Sequence, residues 1–197
     1  MVKKIIKNVF SLGISVCLAF LIGYYFLDDI LSGYVSADFD IFPYLYLRLL
    51  LASTCFASIK WIFKESKKFY FDISFIIYSL FIIFITFLSR KFGGISYGVN
   101  FDLLKIFDES KRNIILNLII YIPFGAYIQY RLRKSIKIIL PVFILFISVI
   151  EFTQFIIKVG FLDIIDMLLN TSGFLIGFLS VGLLTRKNRQ ALQKFIN

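Results

Sequence analysis

The sequence predicts an all-α, polytopic integral membrane bundle of about six transmembrane helices, with the N-terminus and C-terminus both cytoplasmic. Three observations carry this. Of 197 residues, 59% are apolar and only 17% charged, with a mean hydropathy of +0.87. Soluble domains are nearer half apolar and about a quarter charged, so lipid is the solvent that suits this chain. The apolar residues are also gathered into runs long enough to span a bilayer. Between the runs, basic residues are alternately dense and sparse, as membrane topology requires.

In lipid every backbone polar group must bond internally, so runs of this length are read as helices. The first is Val9 to Leu27. The second, Phe42 to Phe63, is interrupted by Arg48. The third is Phe71 to Ser89. The fourth, Asn113 to Tyr130, has Pro123 inside it. The fifth is Ile136 to Ile157, and the sixth Phe161 to Leu184.

Lys3, Lys4, Lys7, Lys60, Lys64, Lys67, Lys68, Arg131, Arg133, Lys134, Lys137, Arg186, Lys187, Arg189 and Lys194 fall on one side of this arrangement. Arg90, Lys91, Lys105, Lys111, Arg112 and Lys158 fall on the other. The richer set belongs inside. The first outer loop is acidic, with Asp28, Asp29, Asp38 and Asp40. A competing reading treats Lys3 to Lys7, the first apolar run and Val35-Ser36-Ala37 as a cleaved signal peptide, which would leave five spans. Against it, the run is long for such a region, and Asp28-Asp29 separate it from the cleavage motif.

Residues 1–90 hold the first three spans and read as a scaffold. Residues 91–197 hold an outer loop, the last three spans and a basic tail. The loop from Arg90 to Arg112, with Gly93-Gly94 and Gly98, is of a length that is often functional or mobile.

Composition excludes several function classes. Histidine is absent, which removes His-based triads and His metal sites. Cys17 and Cys55 both lie in apolar runs, so neither a disulfide framework nor a Cys-rich metal site is expected. No metal and no cofactor is expected. The net charge of +10 is spread in inter-span clusters, which argues against nucleic acid as a partner.

Ionisable and amide groups inside the spans are then the strongest functional signal, because they are costly there and face the bundle interior. Asp163, Asp166, Asn170, Gly173 and Gly177 follow one another at helical spacing and read as one face of the sixth span. Gly173 and Gly177 let a second helix approach closely. Interfacial aspartates capping the first turn would explain the head of the stripe equally well.

On the fifth span, Ser148, Glu151 and Gln154 recur every three residues. Glu151 lies roughly 9 Å below the outer interface at 1.5 Å per residue. There it is protonated, paired or exposed to a water-filled cleft, or it makes a structural hydrogen bond to a neighbouring helix. On the fourth span, Asn113, Asn117 and Tyr121 precede Pro123 and Gly125, so a kink beside a polar cluster or a plain packing kink is expected. Arg48 either snorkels outward or pairs with an internal carboxylate. The Phe and Tyr runs elsewhere are read as facing lipid or as belt residues at the interface.

With this topology Asn117, Glu151, Asp163, Asp166 and Asn170 all fall toward the outer side. Three spans thus bring polar residues to one depth, which predicts a single outward-facing site. Lys111 and Arg112 sit just above it, placed to attract an anionic group such as a lipid phosphate.

The motifs resemble a known family. Asn117-Leu-Ile-Ile-Tyr-Ile-Pro123-Phe-Gly125 is similar to its N-x-x-x-F-x-P-x-G element, and Glu151-Phe-Thr-Gln154 to its E-x-x-Q element. Asp163-Ile-Ile-Asp166-Met-Leu-Leu-Asn170-Thr-Ser-Gly173-Phe-Leu-Ile-Gly177 is similar to its D-x-x-D-x-x-x-N-x-x-G-x-x-x-G element. Order and spacing resemble the VanZ-like family of bacterial membrane proteins over about Ser96 to Gly182, and Val99-Asn100-Phe101 is similar to its short N-L motif.

Two positions depart from the pattern. Val159-Gly160-Phe161 stands where members often carry an arginine, with Lys158 nearby. Ile165 stands where many have a second acidic residue. The resemblance implies a multi-pass protein of the bacterial cytoplasmic membrane, with a link to teicoplanin-type antibiotic resistance.

Two functions from different classes follow. In the first, a cell-envelope protein binds a membrane lipid, glycolipid or lipophilic glycopeptide through Asn117, Glu151, Gln154, Asp163, Asp166 and Asn170. In the second, an integral membrane enzyme on a lipid-linked substrate uses Glu151 and Asp166 as an acid–base pair. A proton-coupled transporter using Glu151 is a weaker third, since no internal repeat is visible.

Overall fold

The computed structural model describes residues 2–32, 41–63, 65, 68–88, 98–107 and 111–196. Among them, six helices are long and apolar enough to cross a membrane: Ile5–Leu27, Phe42–Ile62, Lys68–Phe87, Asn113–Leu132, Ile136–Ile156 and Ile164–Thr185. Each coincides with a predicted run. The cleavage motif at Val35-Ser36-Ala37 lies outside the described residues, as do Asp38 and Asp40.

The chain divides into two compact units, Met1–Lys91 and Phe92–Asn197. In the first unit α1 (Val2–Ile22) continues through a π-helical turn, Gly23–Leu27, into α2 (Asp28–Ser32). Next come α3 (Phe42–Ile62) and α4 (Lys68–Ile83), the latter ending in a second π turn, Phe84–Leu88. Helix α3 packs against both α1 and α4. Leu31, Leu47, Leu50 and Phe81 form the buried cluster.

Arg48 does not run free to the interface. Its guanidinium grips Asp28 with both terminal nitrogens, at 2.6 Å and 2.5 Å. It lies so close to Gly23 that a Cβ there would overlap it, and the guanidinium would have to shift to make room. At the other end of the same helices Lys60 is almost fully buried. Its ammonium bonds the Asn8 amide oxygen at 2.7 Å and reaches Glu65 at 3.4 Å, and Glu65 also accepts from Lys7 at 2.6 Å.

The second unit opens with β1 (Val99–Asn100) and a 3₁₀ turn, Leu103–Phe107. The fourth span is two helices, α5 (Lys111–Ile120) and α6 (Ile122–Leu132), broken at Tyr121. The expected proline kink is therefore an interruption of one residue, whose backbone stays right-handed. Pro123 has no N–H to give, and it stands in the first turn of α6, where none is needed. Arg133, left-handed at φ 52°, closes α6, and the Ser135 side chain caps α7 (Ile136–Ile156). A short β2 (Leu162–Asp163) leads into α8 (Ile164–Ile196). Helix α8 packs against α5, α6 and α7.

Three glycines make the packing on α8 close. A Cβ on Gly173 would strike the Leu118 carbonyl. One on Gly177 would strike that of Ile122, and one on Gly125 that of Phe174. The obstacle is backbone in each case, so helix axes approach as only a missing side chain allows. Gly173 and Gly177 fulfil the close approach read from their spacing.

The aromatic residues correct an expectation. Phe143, Phe174 and Phe178 are buried rather than lipid-facing, and the Phe143 and Phe174 rings stack at 3.9 Å. Tyr121 joins them edge-on against Phe143 at 5.6 Å.

Candidate functional site

The polar residues of the second unit gather at one end, where α5 and α8 begin and α7 finishes. Each is held by a local device. Asp163 precedes α8 rather than belonging to it, so the stripe predicted from Asp163 to Gly177 starts one element later, at Asp166. The spacing of three from Asp163 to Asp166 is compatible with a helix, but the chain at Asp163 is extended. Its backbone pairs with Asn100 in a parallel ladder that also joins Val99 to Leu162. Its carboxylate caps the new helix, accepting from the Ile165 N–H at 2.8 Å and from the Asn100 amide at 2.8 Å. An N-terminal carboxylate of this kind satisfies an otherwise unpaired helix donor.

One turn into α8, the Asp166 carboxylate accepts a short hydrogen bond from the Asn117 amide of α5. Four residues further on, Asn170 is buried, and its amide oxygen has no hydrogen-bond partner among the described residues. On α7, Glu151 and Gln154 are both buried. Glu151 lies within electrostatic reach of the buried Tyr121 hydroxyl at the break between α5 and α6. One turn is about 5.4 Å, so the aromatic stack of Tyr121, Phe143 and Phe174 forms a floor about a turn below the polar layer.

The structure therefore brings Asn117 and Asp166 into contact and sets Glu151 beside Tyr121. It places Asn170 on the Asp166 face of α8. Gln154 is buried one turn beyond Glu151, and its carbonyl accepts from the Val159 N–H at 3.0 Å, folding the end of α7 back toward β2. Lys111 is exposed at the first residue of α5. The side chain of Arg112 lies outside the described residues.

Asn100 and Tyr121 are absent from the predicted site set. Both stand in sequence motifs, Val99-Asn100-Phe101 and Asn117 to Gly125. The missing signal was a partner, 63 residues away for Asn100 and 30 for Tyr121.

A family comparison decides the assignment: residues 75–185 match VanZ/LLP1. The chain belongs to the VanZ/LLP1 family. It is a VanZ-type multi-pass membrane protein. No curated protein and no solved structure matches it. The VanZ/LLP1 stretch begins inside α4 and ends at Thr185 of α8, so it holds every residue of the polar end.

The two departures from the VanZ pattern have a structural counterpart. Val159 and Ile165 are both completely or almost completely buried. A charge at either position would need a partner inside the protein. Lys158 is exposed, and at φ 59° it makes the left-handed turn that ends α7.

Proposed function

We propose that the polar end of the second unit binds the head of a membrane lipid, glycolipid or lipophilic glycopeptide, on the outer side of the bacterial cytoplasmic membrane, with both termini inside. Asn170 carries the reading. A buried amide oxygen without a partner costs about 1–3 kcal/mol, and such groups in native structures call for a donor from water or ligand. This one lies one turn from the Asn117–Asp166 pair, above an aromatic floor suited to a hydrophobic chain or ring. An amide oxygen accepts, so the head group it takes presents hydroxyl or amine donors, as sugars and amino alcohols do. Lys111 at the rim suits a neighbouring phosphate. A contribution to teicoplanin-type resistance is the phenotype this reading places under test.

Native mass spectrometry of the chain extracted from its own membrane tests the reading. The wild type should retain a lipid or glycolipid adduct that Asn170→Leu and Asp166→Asn lose. Identical adducts on all three chains would overturn it. A bound species converted to a new mass by wild type, and left intact by Glu151→Gln, would replace binding with catalysis. Sidedness has its own measurement. With Cys17 and Cys55 replaced, cysteines at 117 and 166 should label from outside, and labelling only from the cytoplasm reverses the topology.

A further inference from the structure

The described part of the loop before α5 exposes large apolar side chains outside any span. Phe101, Leu103, Leu104 and Phe107 are all exposed, Leu104 at 72% and Phe107 at 85%. Four such residues within seven form a patch that water disfavours and that an isolated surface leucine does not explain.

The segment is nevertheless ordered by its own bonds. The Asn100 side-chain oxygen accepts from the Asp102 N–H at 3.3 Å, and Asp102 accepts from the Leu104 N–H at 3.0 Å, starting the 3₁₀ turn. The turn packs against α8.

Both ends of the patch are fixed in height relative to the spans. At its start, the Gly98 carbonyl accepts from the Leu162 N–H at 2.9 Å and Asn100 holds Asp163, the residue just before the sixth span begins at Ile164. After it, the fourth span begins at Asn113. The 3₁₀ turn itself, at about 2 Å per residue, is about 10 Å long. A segment this short, tied at one end to the start of a span and followed by another, stays near the membrane boundary. Phe161, just before β2, and Ile115 and Ile119, on α5, are exposed apolar residues as well.

We propose that Phe101 to Phe107 is an interfacial foot, whose apolar side chains lie in the head-group region of the bilayer beside the polar end of the second unit. The occupant of this surface is phospholipid, at the depth of roughly 5–10 Å into the head-group and acyl boundary that amphipathic segments reach. The inference is independent of which ligand the polar site takes, and of whether it takes one.

A tryptophan depth measurement tests it. Trp61 is the single tryptophan, so Trp61→Phe supplies a silent background. Leu104→Trp and Phe107→Trp are then placed in it separately, and each is reconstituted in phosphatidylcholine vesicles. Bromines are carried either near the head or near the tail of the acyl chains. Both probes should emit blue-shifted from water, with head-proximal bromine quenching more strongly than tail bromine. Water-like emission, quenched by iodide and not by bromine, would overturn the proposal by showing the patch in solvent. Blue-shifted emission unmoved by either bromine would overturn it by showing the patch covered by protein. The two probes report independently, and a reconstituted chain without the added tryptophan controls for background.

Discussion

The two units solve the same problem, polar groups in a lipid-facing fold, by opposite means. The first closes charge on charge. Arg48 is taken by Asp28, and Lys7 and Lys60 share Glu65, with the Asn8 amide oxygen as a second partner of Lys60. The second holds Asp163 and Asp166 with neutral amides, those of Asn100 and Asn117, and leaves the Asn170 oxygen without a partner among the described residues. An ion pair is complete in itself, and a ligand gains little by intruding on it. A layer of amides and carboxylates keeps hydrogen-bonding character that can be shared. The difference teaches that polarity inside a membrane protein marks function less by its presence than by how it is satisfied.

The packing contrast gives the largest expected effect. Gly173→Val drives a branched side chain into the Leu118 backbone, so destabilisation should exceed the roughly 1–3 kcal/mol usual for overpacking. Gly13→Val in the first unit meets nothing within 4 Å and should cost only a few tenths, within the about 0.5 kcal/mol typical of surface changes. Thermal unfolding in detergent compares them. Equal losses would mean that the close crossing of α8 is not what holds the second unit.

Next in size is the ion pair. Arg48→Ala strands Asp28 in a mostly buried place, since the two side chains are 12% and 22% exposed. The loss should approach the about 3–5 kcal/mol of a broken buried pair, reduced by that exposure, while Arg48→Met with Asp28→Leu should recover most of it. Additive single losses in the double-mutant cycle would show the contact to be incidental.

The amides of the second unit should separate by role. Asn117→Leu removes a donor from Asp166 and should cost about 1–3 kcal/mol. Asn170→Leu removes a group that gains nothing from the protein, so stability should hold or rise slightly. A loss at Asn170 as large as that at Asn117 would make it structural and remove the argument for a ligand.

The smallest effect belongs to the Lys60 end of the first unit. The hydrogen bond from Lys7 holds the Glu65 carboxyl below its ordinary value of 4.5, with Lys60 adding to it. A carboxyl depressed by folding stabilises above its unfolded value, and that stabilisation is lost as pH falls through the folded one. The stability gap between wild type and Glu65→Gln should therefore be present near neutrality and close in acid below that range. The carboxyl is exposed, so the gap should be small and shrink with salt.

Spans and helix breaks were legible because they depend on local sequence. Apolar length marked all six spans, and Pro123 and the Gly173–Gly177 spacing marked the break and the close crossing. What was illegible was non-local. The spacing of Asp163 to Asp166 fits a helix as well as a cap, and only pairing with Asn100 shows that residue 163 is extended. Arg48 had two candidate fates, and the choice turned on where α2 placed Asp28. The buried phenylalanines were misread for a reason particular to membranes. Lipid tails and a protein core are equally apolar, so hydrophobicity cannot tell the inward face of a span from the outward one.

The grip of Arg48 on Asp28 also bears on how the chain is made. An arginine inside a nascent span raises the cost of leaving the translocon, by up to the about 2.5–3.5 kcal/mol that applies at the helix centre. Asp28 is synthesised first and follows directly on the first span. Helix α3 then enters the bilayer beside a counter-charge already waiting for it. Order of synthesis is thereby built into the fold, and a chain whose spans were exchanged would have to insert Arg48 before its partner existed.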